Sequence, residues 1–410
     1  MAFDLRQVMA AFLTFSMFVM LGNMIKRDHI DPLIEWESLP VKYSNLKPTS
    51  KPKVLKLSEI NNGPWLEHDE PVQTCWRNPI LKSKQQSGGY VFVSLTHGPE
   101  YHASQVANAV LIARKLGATL ALPDITKYKS GEKRSFSEVY NLDKFLASLS
   151  GVVPVEKALP VKLLYSRLPI VQVPEQVSEE FISSKIMPVY LSKRNLKIFT
   201  YFTSSAKVNG SVNQQSNAYQ CLAMFESLKL QPWLQKLADS MVGTLRSLSM
   251  TMGGRFLVVD FRVEMLGQLA CMDSCLSAQE IGMFLEKIGF HPNTTIYLTQ
   301  TGWHNSLDAL RSIFPNTFIK DAIMPADEKG KFMDMKSREL ERYIDYYMCM
   351  QGDVFVPALP DRFYTSVVGE RIRLGKTRIL VPAKNTSESA ADYVSPYVAK
   401  KSHFAYSCLC

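Results

Sequence analysis

Two apolar patterns alternate along most of the chain. Short runs rich in β-branched and aromatic residues read as buried strands. Longer stretches with apolar residues at helical spacing read as helices packed on them. Tyr90 to Leu95 is the first such strand. Tyr101 to Leu116 follows as a helix with Val106, Ala109, Val110 and Ala113 on its apolar face, and Gly117 ends it. Ala118 to Leu122 is the next strand, stopped by Pro123, so this is a βαβ unit with its turn at Thr96 to Glu100. Further strands are expected at Val152 to Val155, Ile170 to Val173 and Leu196 to Thr200, and helices near Ser178 to Tyr190, across Tyr219 to Leu228 and from Pro232 to about Ser249. The polar run Lys207 to Ser216 reads as a surface loop.

A second unit opens at Gly253-Gly254 with RFLVVDFRVE, Arg255 to Glu264. A Cys-bearing loop follows it. The pattern then gives helices at Ala278 to Ile288, Asn305 to Ile313, Lys331 to Met350 and Phe363 to Leu374. Strands fall between them at Thr295 to Thr299, Thr317 to Ile319, Asp353 to Val356 and Arg378 to Val381. The expected fold class is therefore α/β, two doubly wound domains with a cleft between them, over residues 87–249 and 250–410.

Before these domains lies an uncharged apolar run, Gln7 to Ile25, of membrane-spanning length. A cleaved signal peptide is the rival reading, but no Ala-x-Ala-like site precedes Lys26-Arg27. The expectation is a cytoplasmic tail and signal anchor over 1–26, then a stem over 27–86 rich in Pro, Lys, Ser and Asn. Pro64-Trp65 and Cys75-Trp76 are expected to tuck against the body. Sequons at Asn209, Asn293 and Asn385 agree with a lumenal body. Of the seven cysteines at least one is left over from intrachain pairing, and Cys271 and Cys275 are close enough to bridge within one loop.

The length of 410 residues suits two cores plus appendages, and a formal charge of +9 suits an anionic ligand better than nucleic acid. The chain has no zinc-type CxxC pair, HExxH, P-loop or GxGxxG, and no Asp-x-Asp of the kind that holds a metal in many sugar-nucleotide enzymes. Three stretches could carry chemistry. THGPEYH, with His97, Gly98, Glu100 and His102, sits between strand and helix, where it could cradle an anion or a sugar or be a plain turn. Asp260, Arg262 and Glu264 lie at the carboxyl end of a buried strand. A guanidinium there suits phosphate, but it could equally pair with Glu264 or a neighbouring acid. DVFVPALPDRFYTSVVGERIRLG, from Asp353, feeds a helix whose start carries Arg362, Thr365 and Ser366; most of the later basic residues, Arg371 to Arg378, read as a solvated face.

These stretches, with GPEYHASQVANAVLIARKLGATLALPDI, TIYLTQ and the tail HFAYSC, carry a resemblance. The chain resembles plant members of the GDP-fucose protein O-fucosyltransferase-like family, and within it the mannan-synthesis-related branch. The resemblance implies a GT-B fold of two Rossmann-like domains, the first on the acceptor side and the second holding the nucleotide sugar. It implies inverting sugar transfer from a nucleotide sugar, GDP-linked, with no metal required. It also implies a type II Golgi membrane protein with a glycan acceptor. Arg262 matches the family arginine that contacts the donor diphosphate, and Glu264 an acid of the plant branch. Asp353 matches the acid ahead of the donor turn, and Arg362, Phe363 and Tyr364 the turn itself.

Two positions depart from the family pattern. Asp260 stands where the family has a histidine, and Glu100-Tyr101 where an amide pair would hold the sugar. An acid beside a diphosphate repels it unless it is neutral or turned away. Two functional classes follow. One is a glycosyltransferase of cell-wall polysaccharide synthesis, with mannan the favoured polymer. The other is a non-catalytic nucleotide- or glycan-binding partner of a polysaccharide synthase. Asp260 is expected at the end of its strand, paired to a cation and orienting Arg262.

Overall fold

The computed structural model describes residues 64–65, 73–76, 88–126, 133–158, 167–202, 218–263, 276–334, 338–383 and 387–410, with no side-chain placement over 331–339. All belong to one compact unit, Val54–Cys410. The apolar run Gln7 to Ile25, the Lys207 to Ser216 loop, Glu264, Asn209, Asn385, Cys271 and Cys275 lie outside the described residues. Among the described residues no helix is long and apolar enough to cross a membrane.

The first half builds one sheet around β1 (Tyr90–Thr96), whose Val91, Val93 and Leu95 face the core in alternation. Parallel strands flank it in the order β5-β2-β1-β7-β6, with β2 at Thr119–Ala121, β5 at Val155–Glu156, β6 at Ile170–Val173 and β7 at Asn195–Thr200. The chain order reverses between β1 and β7. Two short strands missed by the sequence pattern, β3 (Asp124–Thr126) and β4 (Lys133–Arg134), extend the sheet at the carboxyl end of β1. Helix α1 (Pro99–Leu116) crosses from β1 to β2, buried along Val106 to Ala113. It stops at Gly117, whose left-handed φ of 62° lets the next amide, Ala118 N–H, close back on the Ala113 carbonyl. The strand expected at Val152 to Val155 begins only at Val155. The helix expected near Ser178 to Tyr190 runs from Glu179 to Lys193 with one π-type turn at Ile182–Ile186. Pro188, lacking an N–H, follows that turn.

The second half builds a four-stranded parallel sheet ordered β10-β9-β8-β11: β8 Phe256–Asp260, β9 Thr295–Leu298, β10 Thr317–Phe318 and β11 Val354–Pro357. Every residue of β8 is buried, as its unbroken apolar run requires. The order reverses between β8 and β11, so the crevice of this sheet opens at their carboxyl ends. Helices α2 (Ala218–Phe225), α3 (Pro232–Leu248), α4 (Ala278–Lys287), α5 (Arg338–Gln351) and α6 (Arg362–Arg373) complete the layers. The two sheets fall on either side of residue 250, but one apolar core runs through both, joining Val106 and Val110 of α1 to Ile344 of α5 and Val367 of α6.

Residues 64–65 and 73–76 and the carboxyl-terminal residues lock onto this body. Trp65 is buried edge-on against Phe290, and Trp76 stacks on Phe225. Disulfides join Cys75 to Cys410 and Cys221 to Cys408, and Cys349 is free and buried. Two expectations need correction. Arg378 to Val381 is not a full strand: Ile379 bridges Phe355 and Leu380 bridges Val394, one residue to each side. Arg371 is not on a solvated face; it is wholly buried and donates to the carbonyls of Cys349, Gly352, Asp353 and Arg378.

Candidate functional site

The carboxyl edges of the two sheets face each other, and the charged residues of the crevice come from both. Arg262 lies two residues past the end of β8 with its side chain only 9% exposed. One nitrogen, Nη2, donates to Asp260 Oδ2 at 3.1 Å and to Asp361 Oδ2 at 2.7 Å. Nε is buried with no hydrogen-bond partner among the described residues. Asp260 is fully buried and accepts from Thr299 Oγ1 at 2.7 Å, and Thr299 in turn accepts from the Phe261 amide. Burial raises the Asp260 pKa above its ordinary value; Arg262 pulls it down and Asp361 pushes it up again. For Arg262, burial disfavours the charge, but the two carboxylates outweigh it and hold the guanidinium firmly protonated.

Asp361 caps α6, accepting from the Tyr364 amide at 3.0 Å. Arg362, first in that helix, crosses to the other lobe. It pairs with Glu175, two residues past β6, and its guanidinium lies 4.6 Å from the Phe202 ring centroid and 5.3 Å from that of Tyr101. A second crossing joins Arg342 of α5 to Glu100 in the first turn of α1, with Nε at 3.0 Å and Nη2 at 2.6 Å from the carboxylate. Gly98 leaves room beneath that pair: a Cβ there would stand 2.6 Å from Glu100 Oε2 and 3.2 Å from Arg342 Cδ, so the pair would have to shift. Four carboxylates, of Asp260, Asp361, Glu100 and Glu175, thus surround three guanidiniums, of Arg262, Arg342 and Arg362.

His97 takes a left-handed φ of 75°, uncommon outside glycine, and its ring lies 4.8 Å from Tyr101, which lies 4.8 Å edge-on to Phe202. The three rings make an aromatic wall at the carboxyl ends of β1 and β7. Burial lowers the His97 pKa, against the pull of Glu100.

The structure brings Asp260, Arg262, His97, Gly98, Glu100 and Arg362 to this crevice, with Thr365 half-buried in the first turn of α6. Four expected contact residues point elsewhere. His102 is buried, with Nδ1 2.9 Å from the Tyr140 hydroxyl, and burial pushes its pKa down to about 3, so it holds α1 in place as a neutral ring. Asp353 precedes β11 at the amino edge, the length of that strand away from the crevice; it accepts from the Phe256 amide at 2.9 Å and pairs with Arg246. Phe363 and Tyr364 point inward. Phe363 supports the guanidiniums of Arg262 and Arg342 at 5.3 and 5.0 Å, and the Tyr364 hydroxyl meets Ser395 Oγ. Asn293 is exposed in the turn before β9.

The sequence pattern did not single out Arg342, Asp361, Glu175 or Phe202. Asp361 had a legible signal, an acid directly before a helix start. Arg342 and Glu175 had none, being one charge among many on a mixed helix and one acid in a loop.

A family model described as GDP-fucose protein O-fucosyltransferase matches residues 90–373. The chain is 44% identical to Protein MANNAN SYNTHESIS-RELATED 1 of Arabidopsis thaliana, over the whole of both chains. It is 40% identical to Protein MANNAN SYNTHESIS-RELATED of Trigonella foenum-graecum, over 99% of each. A crystal structure of the fucosyltransferase NodZ from Bradyrhizobium aligns with a TM-score of 0.43 at 16% identity, covering 73% of this chain and 96% of that one.

Proposed function

The chain belongs to the GDP-fucose protein O-fucosyltransferase family, and from that membership we propose that it is a glycosyltransferase of GT-B architecture that takes a nucleotide sugar, GDP-linked, in the crevice at the ends of β8 and β11. The reaction is transfer with inversion, without a metal, to a glycan acceptor in cell-wall polysaccharide synthesis, mannan being the favoured polymer. The body works in the Golgi lumen, held by the anchor expected over Gln7 to Ile25. The observation that carries the reading is the buried Nε of Arg262, unpartnered among the described residues at a topological switch point. Both carboxylates use Nη2, so the guanidinium keeps its Nε donor for a diphosphate oxygen. Arg262 stabilises the charge that develops on the departing diphosphate. The wall of His97, Tyr101 and Phe202 offers flat faces to a sugar ring.

A screen of nucleotide sugars with the purified protein tests this. Turnover of one of them is expected, and Arg262→Ala should lose roughly 2–4 kcal/mol of transition-state stabilisation, the cost of removing one preorganised donor. Transfer by Arg262→Ala at the wild-type rate would sink the assignment. One observation favours the second reading, a non-catalytic partner of a polysaccharide synthase: the excess of carboxylates around the three guanidiniums opposes a dianionic ligand. Calorimetry with GDP followed by a donor-hydrolysis assay separates the two, since binding without turnover supports the partner and turnover excludes it.

A further inference from the structure

A second hollow lies behind the crevice, where the first turn of α1, the end of α2, α3, α5 and the end of α6 meet. Its volume is ≈ 160 Å³ and it is partly open to solvent. Four tyrosines, Tyr140, Tyr343, Tyr346 and Tyr347, contribute to its lining. Tyr343 also lines the small hollow at the His97-Gly98 turn, so the two spaces share one wall. Along α6, Glu370 stands eight residues beyond Arg362, about 12 Å at the helical rise.

The charge around this hollow is balanced. Lys229 Nζ is 3.2 Å from Glu226, and Arg373 is 2.9 Å from Glu370 and 3.7 Å from Glu226. Two cations thus meet two carboxylates, which leaves no net attraction for a phosphate or a carboxylate ligand. A purely aliphatic ligand fits no better, because it would strip water from both ion pairs without replacing the hydrogen bonds. A neutral ring with one flat C–H face and a rim of hydroxyls satisfies both constraints: aromatic faces take the flat side, and Gln235, Tyr347 and the ion pairs take the rim. The size agrees, since a cavity of about 150 Å³ holds a six-membered carbon ring, and the open side leaves room for substituents.

We propose that this hollow is a glycan-binding subsite that holds one neutral hexose unit of a polysaccharide chain, set apart from the nucleotide crevice. The proposal rests on the glycosyltransferase reading in taking that chain to be the acceptor. A growing polymer gripped there keeps its neighbouring units near the Tyr343 wall and so near the crevice.

The test is titration calorimetry of the full chain with a manno-oligosaccharide, a gluco-oligosaccharide and an acidic uronic-acid oligosaccharide, each with and without GDP. Wild type should bind a neutral oligosaccharide and not the acidic one. Met224→Trp, which fills the hollow from α2, should weaken that binding by at least about tenfold, with GDP affinity unchanged. Should Met224→Trp lose GDP binding as well, Gln235→Ala decides, with an expected loss of about fivefold, the worth of one hydrogen bond. Glu370→Gln leaves the two cations in excess and should let the acidic oligosaccharide bind. No oligosaccharide binding by wild type, a preference for the acidic chain, or wild-type affinity in Met224→Trp overturns the subsite. Loss of GDP binding in the wild type with glycan binding intact overturns the crevice reading and leaves the subsite standing.

Discussion

Asp361 competes with a diphosphate for Arg262, and replacing it with Asn measures that competition. The carboxylate sits 2.7 Å from Arg262 Nη2 and its side chain is 30% exposed. Asn is as good a helix cap as Asp, so Asp361→Asn can keep the bond from the Tyr364 amide while the charge disappears. A unit charge roughly 6 Å from a phosphate oxygen at an effective dielectric of about 20 contributes about 2.8 kcal/mol of repulsion. Solvent reaches Asp361, so that figure falls to about 1 kcal/mol after screening, or roughly fivefold in affinity. Calorimetry with GDP at low and high salt is the assay: Asp361→Asn should bind about fivefold more tightly at low salt, with the gain shrinking as salt is added. Weaker binding at either salt would refute the reasoning, because Asp361 would then be holding Arg262 in its binding pose.

Asp260→Asn should act in the opposite direction and weaken GDP binding by about tenfold, because the buried Asp260, fixed by Thr299, pins the arginine from beneath through a charge-assisted bond; tighter binding counts against that role. Stability should fall on acidification. The His102 and His403 pKa values, lowered by burial to about 3 and about 4, lie below those of the unfolded chain, which therefore takes up protons first as pH drops below about 6.5. Each ring then removes about 1.4 kcal/mol per pH unit until its folded value is reached, and thermal melts of His102→Gln should show a shallower slope. Asp260, with its pKa raised, works the other way: its contribution is largest at low pH and declines as pH rises through its folded value. Replacing Cys221 and Cys408 with Ser opens a closure of 187 residues and should cost roughly 2–5 kcal/mol, read as a lower melting temperature.

The alternation of short apolar runs with helical periodicity was enough to place β1, α1, β6, β9 and α6 within a residue or two, because each depends on neighbours in sequence. Gly117 and Pro232 marked helix ends for the same local reason. Trp65 and Trp76 signalled side chains that dock, since so much apolar surface is rarely left in water. Chemistry at the crevice was legible where it sat on one strand end or helix start, as with Arg262 and Arg362. Direction was not: Asp353 and Arg262 adjoin paired parallel strands, yet Asp353 faces the amino edge and Arg262 the carboxyl edge. Burial of a charge was not legible either, because Arg371 is read by four carbonyls that come from elsewhere in the fold. The pairs that span the crevice, Glu100 with Arg342 and Glu175 with Arg362, join residues 242 and 187 positions apart. Only the facing of two sheet edges brings them together, and that facing is set by the core the two lobes share rather than by any local preference of the chain.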